Sequence, residues 1–300
     1  MRFVQHKKEA FWFYRILSIF YDKLVNPFFW TESMRDSALK LAKLNQKTLS
    51  TVDVGSGTGF TTQGIAKLID PQYISCIDQS PHQMARAQLK SDLKGCTFQL
   101  GDAENLPFET DRFDRYVSAG SIEYWPDPQK GISEAYRVIK PQGIALMIGP
   151  LRPQNRLARF LADTWMLFPE ENEYVQWFEK AGFTNIKTKY VAPNWILNEQ
   201  YGVAISGTKP APGLAQATHQ PDTIEKISFF ANLLRMGRLL VGSLAGFFFI
   251  PIAVLGYLKQ YILRLFGKAK PQYTDRFNFQ QAASLLFILI VLIIFIIWLI

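Results

Sequence analysis

The chain has 300 residues, 48% of them hydrophobic, with a net charge of +8 and two cysteines. That length holds one α/β domain of ordinary size and an appendage. Nine Lys/Arg stand against three Asp/Glu from Lys209 onward, so the first 208 residues are nearly neutral and show no basic face for nucleic acid.

Residues 1–45 precede the first strand and read as an N-terminal helical lid. Phe11 to Asp22 has helical spacing with apolar residues on most sides. Two readings stand: a helix packed on the sheet domain, or a cover with an aromatic face toward an apolar substrate or the bilayer. Arg15 and Asp22 interrupt the run, so it is not a signal peptide. The catalytic domain is therefore expected on the cytosolic face, or on a stromal-type face in a plastid. Asn26-Pro27 breaks the helix, and Met34 to Leu44 resumes one.

Thr51-Val52-Asp53-Val54 reads as a buried parallel strand, followed by glycines at alternate positions, Gly55, Gly57 and Gly59. A helix from Thr61 to Leu68 completes the first strand–turn–helix unit of a nucleotide-binding sheet. The dinucleotide fingerprint needs a glycine where Phe60 stands. Asp53 would repel a pyrophosphate held by helix amides, but suits a ligand with an ammonium and a sulfonium. S-adenosyl-L-methionine (SAM) carries both and no phosphate, so this turn predicts a SAM site.

Tyr73 to Asp78 is a second strand, and Asp78 lies 23 residues beyond Gly55, where such sheets place a carboxylate for the ribose hydroxyls. Gln79 stands beside it. Ser80-Pro81-His82-Gln83 opens a helix with Ser as N-cap and Pro at the first position. Thr97 to Leu100 is the third strand; Asp102 beyond it can accept from an adenine amino group, with Ala103 giving a backbone contact. Phe113 to Ser118 is the fourth strand, and Ser118 joins the cofactor set. The loop Ala119 to Pro128 lies beside the switch point, where groups touching a methyl acceptor are expected.

Gln129 to Val138 is an amphipathic helix, Pro141-Gln142-Gly143 a turn and Ile144 to Ile148 a fifth strand. Pro150 to Phe168 reads as a connection forming part of a substrate lid, and Glu171 to Lys180 as a helix ended by Ala181-Gly182-Phe183. Strands near Asn185 to Val191 and Val203 to Thr208 close the sheet. The expected fold is α/β, a doubly wound, seven-stranded Rossmann-like sheet of the class I SAM-dependent methyltransferase type over residues 46–208.

Residues 209–238 read as a linker and juxtamembrane segment, and 239–300 as a membrane anchor. Leu239 to Leu258 and Ala282 to Ile300 are uncharged runs of twenty and nineteen residues, about the length that spans a bilayer core of ~30 Å. Two spans joined by a short loop put Lys259, Arg264, Lys268, Lys270 and Arg276 opposite the catalytic domain, against the positive-inside tendency. The other arrangement lays the first run in the interface and lets only the second cross. Cys76 and Cys96 read as inert core residues, and His6, His82 and His219 offer no metal-ligand spacing, so no metal is expected.

Several runs carry a resemblance: Phe11-Trp12-Phe13-Tyr14-Arg15, Trp30-Thr31-Glu32, Met34-Arg35-Asp36, the glycine turn, Asp78 to Gln83, and Gly101-Asp102-Ala103-Glu104. Arg115 to Pro128, with Ser118-Ala119-Gly120-Ser121-Ile122-Glu123-Tyr124-Trp125-Pro126-Asp127-Pro128 inside it, is the most discriminating. Trp165 to Pro169 and the run near Pro251 add to it. Over roughly residues 10–265 the chain resembles the plant-type 2-methyl-6-phytyl-1,4-benzoquinol methyltransferases, which also methylate the solanesyl benzoquinol precursor of plastoquinone. It departs from them in having no transit peptide, as in a bacterial, organelle-encoded or mature chain, and in its second hydrophobic run.

The resemblance implies methyl transfer from SAM to a ring carbon of a prenylated benzoquinol in the bilayer of a bacterial inner membrane or a plastid. Loss of a phenolic proton makes the adjacent ring carbon nucleophilic, so a base is expected. Glu123 is the first candidate, with Tyr124 orienting a ring hydroxyl and His82 as an alternative base. Two rival readings are methylation of another membrane lipid or quinone such as demethylmenaquinone, and a SAM-binding membrane protein without turnover.

Overall fold

Alternating apolar faces build the sheet. The computed structural model describes residues 29–165, 167–193, 200–216 and a few positions between 255 and 267. Its strands are β1 (Thr51–Val54), β2 (Ile74–Asp78), β3 (Thr97–Leu100), β4 (Phe113–Ala119), β5 (Ile139–Pro150), β6 (Thr184–Val191) and β7 (Gly202–Thr208). Along β1, Val52 and Val54 enter one core while Asp53 faces the other side; Ala145 and Met147 alternate in the same way with Leu146 and Ile148 on β5. The chain therefore needs a cover on each face, which is why parallel strands here read as continuous apolar runs.

The helices supply those covers. They are α1 (Glu32–Leu39), α2 (Phe60–Ala66), α3 (Pro81–Gln88), α4 (Pro128–Val138), α5 (Arg156–Trp165) and α6 (Glu171–Ala181). Tyr136 of α4 and Tyr174 and Phe178 of α6 fill the core under Val52, Tyr116 and Met147. Met34 and Leu39 of α1 and Ile65 of α2 fill the other core with Cys76, Val117 and Ile148. Local chemistry agrees with these placements. Thr31 caps α1, Asp127 caps α4 with Pro128 at its first turn, and α6 has a capping box at Glu170 and Glu173 and ends on left-handed Gly182.

The strand order is β3-β2-β1-β4-β5-β7-β6. The first five strands are parallel, and β7 inserts antiparallel between β5 and β6. The order reverses beside β1, so β1 and β4 carry the switch point and their carboxyl ends open the crevice.

Three expectations change. The connection Pro150 to Phe168 contains the ten-residue helix α5, strongly amphipathic, with Ala162 buried and Phe160 65% exposed. The fifth strand starts at Ile139, ahead of the expected turn; Gln142 has positive φ and the pairing with β4 shifts between Phe113 and Arg115, so strand and bulge coexist. The linker does not leave the domain at Lys209. That side chain is buried, its Nζ donating to Asp111 at 2.5 Å, to the Tyr136 carbonyl at 2.9 Å and to the Gly213 carbonyl at 2.7 Å. The Gln216 N–H reaches back to the Ala181 carbonyl, so residues 209–216 pack on the domain.

Phe11 to Asp22, the run Ala282 to Ile300 and nearly all of Leu239 to Leu258 lie outside the described residues. Among those described, no helix is long and apolar enough to cross a membrane.

Candidate cofactor and methyl-acceptor site

The turn after β1 folds back on β2. The N–H groups of Gly55 and Ser56 both donate to the Ile77 carbonyl, at 2.8 and 3.0 Å. Gly55 and Gly57 have φ of 71° and 54°, and a Cβ on them would meet Ser121 Cβ and Gln83 Oε1, each at 2.5 Å. Only glycine fits a left-handed turn pressed this closely from both sides. Gly59 then caps α2. The result is a cavity over the carboxyl ends of β1, β2 and β4, walled by Gly55 to Thr58, Asp78 to Ser80, Gly101 to Ala103 and Gly120-Ser121.

Asp78 sits at its rim. Its Oδ2 accepts from the Gly57 N–H at 2.8 Å and its Oδ1 from the Ser80 N–H at 2.7 Å. Burial pushes its carboxyl above the usual range, while the N–H groups of Ser80, Gly57 and Gln79 pull it back. Asp102 accepts from the Glu104 N–H at 3.0 Å, which fixes the loop carrying Ala103. Asp78, Gln79, Asp102 and Ala103 thus line one cavity together with Gly55 and Gly57.

Three expected cofactor residues do not reach it: Gly59, which caps α2 and backs onto Leu93 and Ala87, and Asp53 and Ser118. Asp53 is fully buried behind the turn, on the Cys76 side of the sheet; its Oδ2 accepts from Thr62 Oγ1 at 2.6 Å and its Oδ1 has no partner. Desolvation, with a smaller push from Asp78, raises its carboxyl to about 7 against the Thr62 hydrogen bond. Ser118 Oγ donates to the Val54 carbonyl at 2.7 Å and lies 2.6 Å from Ser121 Oγ, so it ties β4 to β1 beneath the cavity.

The acceptor candidates also separate. Ser121 to Trp125 forms a tight 3-10 turn in which Tyr124 and Trp125 face the cavity. Glu123, between Ile122 and Tyr124, does not line it. Its carboxyl is buried, its Oε2 has no partner, and desolvation raises it to about 7. The Tyr174 hydroxyl, which donates to the Pro150 carbonyl at 3.0 Å, feels the Glu123 charge. His82 is exposed on α3 and outside the cavity wall.

Among the polar and aromatic lining residues without a role from the sequence are Trp30, Arg35, Ser56 and Gln83. The Gln83 side chain lies against Gly57, while Ser80 Oγ accepts from the Gln83 N–H. Trp30 and Arg35 stood inside the resemblance without an assigned function.

The donor set fits SAM. The wall carries two carboxylates, Asp78 and Asp102, able to accept from ribose hydroxyls and an adenine amino group, no lysine lines it among the described residues, and Ser56 Oγ is a buried hydroxyl without a partner. A phosphate beside Asp78 would meet like charge.

Residues 52–147 match the methyltransferase domain family. The [4+2]-cyclase SpnF aligns over 70% of this chain and 99% of its own, at 18% identity and TM-score 0.57. The Haemonchus contortus phosphoethanolamine N-methyltransferase 2 solved with SAM aligns over 60% and 53%, at 16% identity and TM-score 0.52. These likenesses establish the fold. Sheet order, glycine turn and domain match together define a class I SAM-dependent methyltransferase, with SAM as its cofactor.

The particular group follows from closer relatives. A chloroplastic 2-methyl-6-phytyl-1,4-hydroquinone methyltransferase 2 of Oryza sativa is 50% identical over 87% of this chain and 77% of its own length. The Spinacia oleracea counterpart is 49% identical over 90% and 79%. The chain belongs to the 2-methyl-6-phytyl-1,4-hydroquinone methyltransferase family.

Proposed function

We propose that the protein methylates a ring carbon of a prenylated benzoquinol of the 2-methyl-6-phytyl-1,4-hydroquinone type, in tocopherol- or plastoquinone-type biosynthesis. The observation that carries this reading is half identity, across nearly the whole chain, to relatives named for that reaction. SAM bound in the cavity supplies an electrophilic methyl group on a sulfonium. Asp78 takes the ribose hydroxyls, Asp102 and Ala103 the adenine, and the Gly55–Gly59 turn lies close along the cofactor; Asp53 and Ser118 hold that turn from below.

Tyr124, on the cavity wall, orients a ring hydroxyl of the acceptor. Glu123 is the base. Its raised carboxyl and unpartnered oxygen suit a group that takes a proton near neutral pH. Glu123 does not line the cavity in this conformation, so acting as the base requires the Ser121–Trp125 turn to move. Much of the rate comes from holding the ring carbon in line with the methyl group.

The acceptor stays in a membrane, so the two C-terminal hydrophobic runs anchor the domain there, in a bacterial inner or plastid membrane. The plant relatives are named chloroplastic. Exposed Phe160 on α5, just beyond the carboxyl end of β5, is consistent with an apolar entry. Membranes holding the full chain, given labelled SAM and a panel of prenylated benzoquinols and demethylmenaquinol, should label a benzoquinol. Label in demethylmenaquinol alone would move the acceptor class, and no labelled lipid would remove the reading. Glu123→Gln should lower turnover with SAM affinity nearly intact; unchanged turnover would take Glu123 out of the mechanism.

A further inference from the structure

The cavity has a charge asymmetry. Its lining acids, Asp78 and Asp102, stand at β2 and β3. The opposite end, at β1 and β4, is bounded by Gly55, Gly120 and Ser121 and covered by the segment before α1. Arg35 of α1 is the one cationic side chain on the wall described here.

Arg35 and Trp30 are seated there by two glycines. A Cβ on Gly64 would lie 2.5 Å from Arg35 Nε, and one on Gly120 would lie 2.6 Å from Trp30 Nε1. The Arg35 guanidinium lies over the Phe60 ring at 4.6 Å. The residue is 3% exposed, yet it reaches the cavity. Its Nε donates to Asp36 at 2.8 Å, Nη1 to the Phe60 carbonyl at 2.9 Å and Nη2 to Glu32 at 3.3 Å. A guanidinium has five N–H groups, so among the described residues one remains on each terminal nitrogen, the pair that grips a carboxylate as a fork.

SAM is a zwitterion at its amino-acid end. With adenine and ribose at the acid-lined end, its carboxylate falls at the other, where burial without a cation is costly. Glu32 and Asp36 do not cancel Arg35 there: their side chains are 69% and 44% exposed, so water screens them, while the guanidinium is buried.

We propose that Arg35, held beneath Trp30, binds the carboxylate of SAM, which makes the segment before the sheet part of the cofactor site. The rival is a clamp that only seats α1 on α2. The two differ in ligand dependence. Calorimetry on the full chain in detergent would compare SAM with decarboxylated SAM, for wild type and Arg35→Met. Wild type should prefer SAM by about tenfold or more, the size of a charge-assisted bidentate pair. Arg35→Met should bring that ratio near one by weakening SAM alone. Absence of a wild-type preference, or equal weakening of both ligands, overturns the assignment. Should Arg35→Met fail to fold, Arg35→Lys decides: a several-fold smaller ratio supports the fork, and an unchanged ratio overturns it. No methyl acceptor enters the experiment, so failure here leaves the quinol reading untouched.

Discussion

Glu123 makes a stability prediction independent of turnover. Burial raises its carboxyl from the ordinary 4.5 to about 7. Between those values the folded protein keeps a proton that the unfolded chain has released. The folded state then binds more protons, so stability is lost as pH rises through the window, fully so above it. One pH step for one proton is about 1.4 kcal/mol, which puts the loss at about 3 kcal/mol across the window. Asp53 slopes the same way, from 3.8 to about 7, and would mask the effect in the wild type alone. Glu123→Gln cancels that: the amide stays neutral, so the variant keeps the Asp53 slope and loses the Glu123 one. Urea unfolding of the full chain in detergent, followed by tryptophan fluorescence at pH 5 and pH 8, measures the difference. The variant should gain about 3 kcal/mol on wild type between these conditions, whatever fixed offset the new amide brings. Parallel profiles would refute a buried, proton-holding Glu123.

Gly57→Ala adds a Cβ at φ 54°, 2.5 Å from Gln83 Oε1, so SAM affinity should fall well beyond the about 1 kcal/mol of the conformational strain alone; titration with SAM reads it. Lys209→Met strips the Tyr136 and Gly213 carbonyls and Asp111 of their shared donor, and should cost about 2–4 kcal/mol in urea unfolding with SAM affinity nearly unchanged. Gly149→Ala places a methyl group 2.1 Å from the Tyr174 hydroxyl and should destabilise by at least about 2 kcal/mol; Tyr174→Phe in the same background should recover part of that loss.

What was readable in the chain was whatever depends on local pattern. The β-branched run, the three glycines and Ser80-Pro81 announce a strand, a turn and a helix start, because strand periodicity and capping act over a few residues. The antiparallel β7 was not readable, since its apolar run suits either direction and only the α6–β6 path back to the sheet decides. Asp53 shows the same limit inside the site. Its spacing from the glycines is right, but alternation along β1 sends its side chain to the face opposite Val52 and Val54, where Thr62 donates to it and in turn accepts from Cys76. Glu123 and Tyr124 are neighbours in one 3-10 turn, yet only Tyr124 lines the cavity, so a motif containing both cannot say which one meets it. Arg35 went unassigned for the converse reason. It lies 20 residues before Gly55, and only the packing of α1 against Gly64 of α2 carries it to the wall. Spacing therefore pointed to the cofactor through residues at the ends of β1, β2 and β3 that line the cavity, while Arg35 and Trp30, brought to its wall by distant packing, depend on which face of each element is buried.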